Sequence, residues 1–205
     1  MRIESLEQSD AELVEAAQHG RLESFGALYQ RYHNPIVALA YAQLGDKHSA
    51  EDAAQEVFAV ACRDLRSLRD QAKFGAWLGG ICRNVCRQML RVKTRTAPLP
   101  GRDARFCVSA DGPDCGSSRA DGSNGEISRA EQEEQWDAVR RAVWQLPAAE
   151  RELIVMRYFN GFSQARISEV LDLTPAAVNG RLTRAKRRIA EWLERSGFGS
   201  ESWDA

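Results

Sequence analysis

The strongest constraint on the fold of this chain is a pair of short helical patterns near its C-terminus, joined by a tight turn. The first pattern covers about residues 163–171, and residues 172–173 supply the turn. Thr174 is a favourable N-cap, and Pro175 suits the first helical position because that position needs no amide hydrogen. The second pattern repeats apolar residues at alternating spacings of four and three, which predicts one buried face. These apolar positions are Val178, Leu182, Ala185, Ile189 and Leu193.

The other faces of the second helix are strongly basic. A helix with one packed face and one cationic face, presented by a shorter helix, is typical of a helix-turn-helix, whose second helix enters the major groove of DNA. The alternative to DNA binding is an amphipathic helical hairpin whose basic face is only solvated. The capped start, the turn and the one-sided charge agree with one another and favour DNA binding. The candidate DNA-binding residues are Thr174, Ala176, Ala177, Asn179, Arg181, Arg184, Lys186, Arg187 and Arg188.

Charge and hydropathy limit the classes of protein to which this chain can belong. Lysine and arginine number 28 against 29 acidic residues, so the formal net charge is −1 and the basic residues matter only through their local clustering. The N-terminus lacks the apolar core of a signal peptide. No apolar run approaches the roughly 20 residues that a membrane helix needs. We therefore expect a cytoplasmic chain that does not insert into a membrane.

The five cysteines fit that compartment. An odd count without framework spacing argues against a secreted disulfide scaffold. Cys82 and Cys86 lie one helical turn apart, as two zinc ligands would, but the three histidines lie far off and complete no ligand motif. We expect Cys62, Cys82 and Cys86 to be buried as small apolar residues, with no metal and no cofactor. The sequence assigns no role to Cys107 and Cys115.

The chain divides into three parts. Residues 1–95 are helical in pattern, residues 96–125 are rich in Gly, Ser, Asp and Pro, and residues 126–205 are helical again. The middle segment cannot bury a core and predicts a flexible linker, within which the apolar residues 106–108 form an island that would suit docking on a partner. The expected fold is all-α, with two small helical domains joined by the linker and the C-terminal domain a helix-turn-helix.

Local signals place the helices of the first domain. Ser9 and Glu12 form a capping box that starts the first helix. Asn34-Pro35 predicts the restart of a helix, which Gly45 then closes. Ser49 predicts the cap of a third long helix.

The last helix of this domain combines aromatics with a basic face and follows a polar loop. Phe74 and Trp77 lie on its apolar stripe, so they are better explained as core anchors than as platforms for unstacked bases. The loop and the basic face are the stronger nucleic-acid candidates.

Three segments, in order, resemble those of bacterial RNA polymerase sigma factors of the extracytoplasmic function (ECF) group. Residues 49–58 resemble the segment that docks on the clamp helices of the largest polymerase subunit. Residues 74–84 resemble the helix that engages the melted −10 element, and residues 146–163 resemble the start of the domain that reads the −35 element. The resemblance implies a non-enzymatic specificity subunit that binds RNA polymerase core and promoter DNA. It also implies an anti-sigma protein as a further partner to test.

The resemblance also assigns roles to individual residues. It implies that the polymerase-binding residues are Asp52, Gln55, Glu56 and Phe58, and that the −10 DNA-binding residues are Arg69, Asp70, Lys73, Arg83, Asn84 and Arg87. The basic face of the C-terminal helix becomes the −35 contact.

The chain departs from the family pattern at two points. Many members have lysine and serine where this chain has Asn179 and Gly180. A glycine inside a helix costs about 1 kcal/mol against alanine and offers no side chain to DNA. The linker is also somewhat long for the group.

Three other classes of protein explain less of the sequence than a sigma factor does. A helix-turn-helix repressor or activator would explain the C-terminal domain alone, and would be expected to dimerise on a symmetric site. An enzyme is disfavoured, since the sequence has no phosphate-cradling glycine motif and no paired nucleophile and base. A purely structural adaptor would not explain the basic faces of the helices.

Overall fold

Helices build both parts of the molecule. The structure is a computed structural model that describes residues 8–96 and 125–198, with side chains for residues 8–92 and 134–198. The first domain consists of α1 (Asp10–Gln18), α2 (Leu22–Leu44), α3 (Lys47–Asp64) and α4 (Phe74–Thr96). Two 3-10 turns, Leu65–Ser67 and Gln71–Lys73, connect α3 to α4.

The second domain starts with the long helix α5 (Gly125–Trp144). It continues with α6 (Ala148–Ile154), a π-helical turn (Val155–Phe159), α7 (Gln164–Leu171) and α8 (Pro175–Arg195). Within the two described ranges the chain forms no strand, which confirms the all-α, two-domain prediction. The predicted linker lies almost wholly outside the described residues.

Side-chain caps set the starts of α1, α3, α7 and α8. The Ser9 hydroxyl accepts from the Glu12 amide at 3.3 Å, and the Glu12 carboxylate accepts from the Ser9 amide at 2.7 Å, so the capping box is confirmed. The prediction that Ser49 caps α3 was wrong. Asp46 is the N-cap, because its carboxylate accepts from the Ser49 amide at 2.7 Å and the helix begins earlier.

The predicted restart at Asn34-Pro35 was also wrong, since α2 runs through Pro35 without a break. Proline has no N–H, so it cannot donate to the carbonyl four residues earlier, that of Arg31. That carbonyl accepts a hydrogen bond from Arg166 of the second domain at 2.7 Å. The predicted end of α2 at Gly45 is confirmed, with a left-handed φ of 83°.

One apolar core extends through both domains. In the first domain the stripe of α3 packs on α2 and α4, and Phe74 is fully buried with its ring edge-on to Tyr32 at 5.1 Å. Trp77 is half-buried against the same core, so the expectation that both aromatics are core anchors is confirmed. The core continues into the second domain, where α6 packs on α2, α7 packs on α4, and α8 packs on α5, α6 and α7.

The cysteines divide differently from the prediction. Cys82 and Cys86 are fully buried, as expected. Cys62 is exposed, so its expected burial was wrong. Its neighbour Ala61 occupies the inward position of α3, and the next residue of a helix points about 100° away.

Candidate nucleic-acid interface

The helix-turn-helix has the geometry that its sequence predicts. The Ser163 hydroxyl caps α7 by accepting from the Arg166 amide at 3.2 Å. Asp172 adopts the left-handed conformation at φ 54°, which aspartate tolerates better than most residues and which turns the chain sharply after α7. The Thr174 hydroxyl then accepts from the Ala177 amide at 3.2 Å, with Pro175 at the first helical position. The two predicted helices, their turn and the Thr174 cap are confirmed.

The recognition helix α8 separates an apolar face from a solvent face. Val178, Leu182, Ala185 and Leu193 are buried and Ile189 is half-buried, as the spacing predicts. Ala177 and Arg181 are half-buried at the edge of this face. The remaining candidates are exposed: Thr174, Ala176, Asn179, Arg184, Lys186, Arg187 and Arg188. The first turns and the basic face of α8 are therefore accessible to solvent.

Several of these side chains already have partners. Asn179 accepts from the Gln164 side chain at 2.6 Å, which links α8 to α7. Arg187 pairs with Glu191 at 2.9 Å, and Arg188 pairs with Glu150 at 3.2 Å. Exposed ion pairs contribute about 0–1 kcal/mol, so DNA phosphates can compete for the Arg187 guanidinium. Arg184 folds back on the Gly180 carbonyl at 3.3 Å.

The polar loop before α4 presents Arg69, Asp70 and Lys73 to solvent. Asp70 has a structural task that sequence reasoning missed, since its carboxylate accepts from the Ala72 amide at 3.2 Å and caps the 3-10 turn. By stabilising the shape of the loop in this way, Asp70 positions the neighbouring loop residues, whether or not it contacts DNA itself.

The three candidates on α4 fall into two groups. Asn84 and Arg87 are exposed, and the Arg87 guanidinium donates to the Asn84 side chain at 2.8 Å. Arg83 faces the second domain, where it pairs with Glu152 at 3.2 Å. Its side chain is 30% exposed and that of Glu152 only 7%. The structure therefore does not bring Arg83 together with Asn84 and Arg87 on one solvent face.

The candidate polymerase-binding residues also separate. Asp52, Gln55 and Glu56 are exposed on α3. Phe58 is 4% exposed and packs its ring on that of Tyr29, with 4.6 Å between the ring centroids. Phe58 thus supports the helix from the core side, and the exposed polar residues form the surface that a partner can reach.

Sequence reasoning gave no role to three charged residues of the second domain: Arg151, Glu152 and Arg166. Their hydrogen-bond partners in the first domain lie 69 to 135 residues away along the chain. No local spacing signals such contacts. None of the helices in the described part of the chain is both long and apolar enough to cross a membrane.

Each of the two domains matches a family model built from known proteins. Residues 28–96 match the family model for sigma-70 region 2, and residues 136–189 match that for sigma-70 region 4. The ECF RNA polymerase sigma-E factor of Escherichia coli K12 is 31% identical over 183 residues, covering 88% of this chain and 92% of the relative.

Two further comparisons extend this result. A relative from Xanthomonas campestris pv. campestris, named "Probable RNA polymerase sigma factor RfaY", is 32% identical over 89% of the chain, which spans 43% of that longer protein. The solved structure of CnrH in complex with the cytosolic domain of CnrY shares the fold, with a TM-score of 0.54 and 24% identity over 92% of this chain and 99% of CnrH. The chain therefore belongs to the sigma-70 family, in its extracytoplasmic function group.

Proposed function

We propose that this chain binds RNA polymerase core in the cytoplasm and directs it to start transcription at a specific set of promoters. The observation that carries the proposal is the pairing of two polar surfaces on two family-typical domains. One is the exposed basic face of α8 in a capped helix-turn-helix, and the other is the exposed acidic and amide surface of α3. A sigma factor needs both surfaces, whereas a simple DNA-binding regulator needs only the first.

In this proposal residues 126–205 read the −35 element as duplex. The first two turns of α8 would contact base edges through Asn179 and Arg181, supported by the close approach that Ala176 and Ala177 permit. Arg184, Lys186, Arg187 and Arg188 lie further along the helix, where phosphates are the nearer partners. The polar contacts are hydrogen bonds and charge pairs, so they need neither a cofactor nor covalent chemistry.

Residues 1–95 would bind polymerase and capture the −10 element. Asp52, Gln55 and Glu56 would contact the polymerase, with Phe58 holding their helix in place. Arg69, Lys73, Asn84 and Arg87 would track the single-stranded backbone, while the loop shaped by Asp70 would receive unstacked bases. Arg83 would join them only after separating from Glu152.

Residues 96–125 would act as a tether. Each domain alone is expected to bind its element weakly, and holding both on one polymerase raises the effective concentration of each at its site. The chain would then be a non-catalytic specificity subunit, and the chemistry of RNA synthesis would belong to the polymerase. An anti-sigma protein as a further partner remains a prediction of the sequence resemblance.

Run-off transcription with purified core polymerase on genomic fragments tests the proposal, followed by mapping of the start sites. We expect discrete start sites that share sequences near −35 and −10 and that require both the chain and the core. A helix-turn-helix repressor would instead bind a symmetric DNA site without core. Transcription from the same sites by core alone would contradict the proposal.

A further inference from the structure

The first domain contains a cavity that is lined by none of the residues proposed above to bind polymerase or DNA. Its volume is about 320 Å³, and it opens where the end of α1, the start of α2 and the end of α3 meet. At about 30 Å³ for each water-sized group, such a volume has room for about ten non-hydrogen atoms. It lies at the lower end of the range that is typical of sites for small molecules.

The floor of the cavity is apolar. Ala17 of α1 and Phe25 of α2 are partly buried there, and Leu65 at the end of α3 is fully packed in the core. Leu22 also lines the cavity, one turn before Phe25 on the same side of α2. It is 77% exposed, the largest fraction among the large apolar side chains in the described ranges. An apolar ligand that filled the cavity would therefore also cover Leu22.

The neutral polar side chain in the wall is already engaged within the protein. The amide of Gln18 donates to the carbonyls of Leu65 and Leu68 at 2.9 Å each, and its oxygen accepts from Gln71 at 3.5 Å. None of the described residues that line the cavity is acidic. The polar groups left for a ligand are therefore mainly cations.

Three exposed arginines supply these cations: Arg21, Arg63 and Arg66. Arg63 pairs with its neighbour Asp64 at 2.9 Å, but both side chains are exposed, and such ion pairs are weak. Within the described part of the chain, Arg21 and Arg66 have no acidic partner. A guanidinium group binds a carboxylate through two parallel N–H donors. The cavity thus combines an apolar floor with a cationic rim.

We propose that this cavity binds a small amphipathic carboxylic acid, with an acyl chain of about eight carbons on the apolar floor and the carboxylate on the arginines. A purely anionic ligand would leave Phe25 and Leu22 without contacts, and a neutral apolar ligand would leave the guanidinium groups unpaired. A DNA strand needs a basic groove that continues along its backbone, and no candidate −10 residue lines this cavity. The site does not depend on the function proposed above.

Isothermal titration of the full chain with octanoate tests this assignment. Octanoate has about ten non-hydrogen atoms, and we expect saturable binding at one site with a Kd below about 1 mM. Acetate carries the same head group without the chain, and octanol carries the chain without the charge. Both should bind at least about tenfold more weakly than octanoate, because each lacks one half of the recognition.

The arginines are tested by removing their charge. We expect Arg21→Gln with Arg66→Gln to raise the Kd for octanoate at least about tenfold, since hydrogen bonds to charged groups are among the strong ones. Arg141→Gln with Arg195→Gln is the matched control. It removes the same charge from two exposed positions of the second domain and should leave the Kd unchanged. Circular dichroism should show intact helices in both chains.

The apolar contact has its own pair of variants. Leu22→Gln should raise the Kd for octanoate at least about threefold, because it removes apolar surface that the acyl chain would cover. Its exposure means that the change costs the fold little. Val92→Gln replaces another exposed apolar residue, on α4 and outside the cavity lining, and should leave the Kd unchanged.

Cys62 reports where octanoate binds, because its thiol is exposed and lines the cavity. The measurement uses a Cys107→Ser, Cys115→Ser background. At ten times the Kd the site is free about a tenth of the time, so octanoate should slow the alkylation of Cys62 by iodoacetamide about tenfold. Unchanged alkylation under saturating octanoate would place the ligand elsewhere and overturn the assignment.

Other outcomes would also overturn it. Acetate that binds as tightly as octanoate would reduce the cavity to a general anion site, and octanol that does so would show that the arginines take no part. A short oligothymidylate or phosphatidylglycerol vesicles that bind through Arg21 and Arg66, where octanoate does not, would assign the cavity to DNA or to a membrane surface. Failure of the chain to support transcription would refute the proposed function and leave the octanoate measurements intact.

Discussion

Arg181 lies in the second turn of α8, half-buried between the core and the exposed face, where its guanidinium can reach a base edge. We expect Arg181→Ala to relax sequence preference in the −35 element by about 1–3 kcal/mol, the discrimination of a bidentate contact to guanine. Lys186→Ala should weaken binding to all sequences alike and reduce the slope of log K against log salt by about 0.9. Titrations on cognate and scrambled duplexes at several salt concentrations measure both. Equal weakening on the two duplexes would make Arg181 a phosphate contact.

The thiols provide a second prediction at this scale. Cys62 is exposed, whereas Cys82 and Cys86 are buried, and the pKa of Cys82 is raised by its hydrogen bond with Cys86 and by burial. The same hydrogen bond lowers the pKa of Cys86, so its protection rests on burial alone. In a Cys107→Ser, Cys115→Ser background, we expect iodoacetamide to label Cys62 at least tenfold faster than the other two, by mass spectrometry. Comparable labelling of Cys82 in the folded chain would contradict its placement.

The cysteines also show what a sequence pattern can resolve. The apolar stripe of α3 predicted the burial of Ala61 correctly, because that position recurs with the helical period. Cys62 follows it directly and carries a residue type that is often buried, so composition suggested burial where the period did not. Where the two signals disagreed, the period was the better guide.

Among the elements, α3 presents a surface that a charge reversal can test. Asp52 and Glu56 lie one turn apart on its solvent side, away from its buried stripe. We expect Asp52→Arg with Glu56→Arg to weaken binding to polymerase core at least tenfold while the helical content stays unchanged. Fluorescence titration with core and circular dichroism measure the two.

Glu15→Arg with Glu23→Arg is the matched control for that variant. It makes the same change of charge at exposed positions on α1 and α2. If it weakens core binding as much as the α3 variant does, net charge and not the α3 surface is responsible.

The start of α1 makes a prediction about pH. The pKa of Glu12 is held below its usual value by hydrogen bonds from the Ser9 amide and then from the Ser9 hydroxyl. The capping contribution is therefore complete above the pKa of the unfolded chain, about 4.3, and is lost as pH falls through the lower pKa of the folded chain. Glu12→Ala should speed amide exchange in α1 at pH 6, with a difference from the parent that shrinks below about pH 4.3. A difference independent of pH would show that the carboxylate charge is not involved.

Capping residues predicted the start of a helix correctly wherever only one good cap was present. The starts of α1 and α8 followed from Ser9 and Thr174, since each hydroxyl has an amide of the first turn within reach. The start of α3 had two good caps three residues apart, and only the structure shows that Asp46 accepts from Ser49. The restart expected at Asn34-Pro35 does not occur, and the Arg31 carbonyl, to which Pro35 cannot donate, accepts from the distant Arg166.

For the whole molecule, the limits of sequence reasoning are clearest at the contact between domains. Spacing predicted which face of each helix is apolar, but no pattern relates α7 to α4 or α6 to α2. Gly79 and Gly80 are identical neighbours in the sequence, and only the packing of Val170 distinguishes them. Arg83 was predicted to bind DNA from its place on a basic helix face, and its partner Glu152 lies 69 residues away. Contacts of this kind depend on tertiary packing that a local pattern does not encode.

The Arg83–Glu152 pair allows a test of the contact between the two domains. Arg83→Glu would set two carboxylates against each other in a nearly buried site, and Glu152→Arg would do the same with two guanidinium groups, so each reversal should weaken the contact between the domains and raise the radius of gyration. The double reversal restores opposite charges, and we expect the radius of gyration in small-angle X-ray scattering to fall back toward that of the parent. Arg87→Glu, one turn along α4 at an exposed position, makes the same change of charge and should leave the radius of gyration unchanged. A double reversal as expanded as the single variants, with helices intact by circular dichroism, would mean that this ion pair does not orient the two domains.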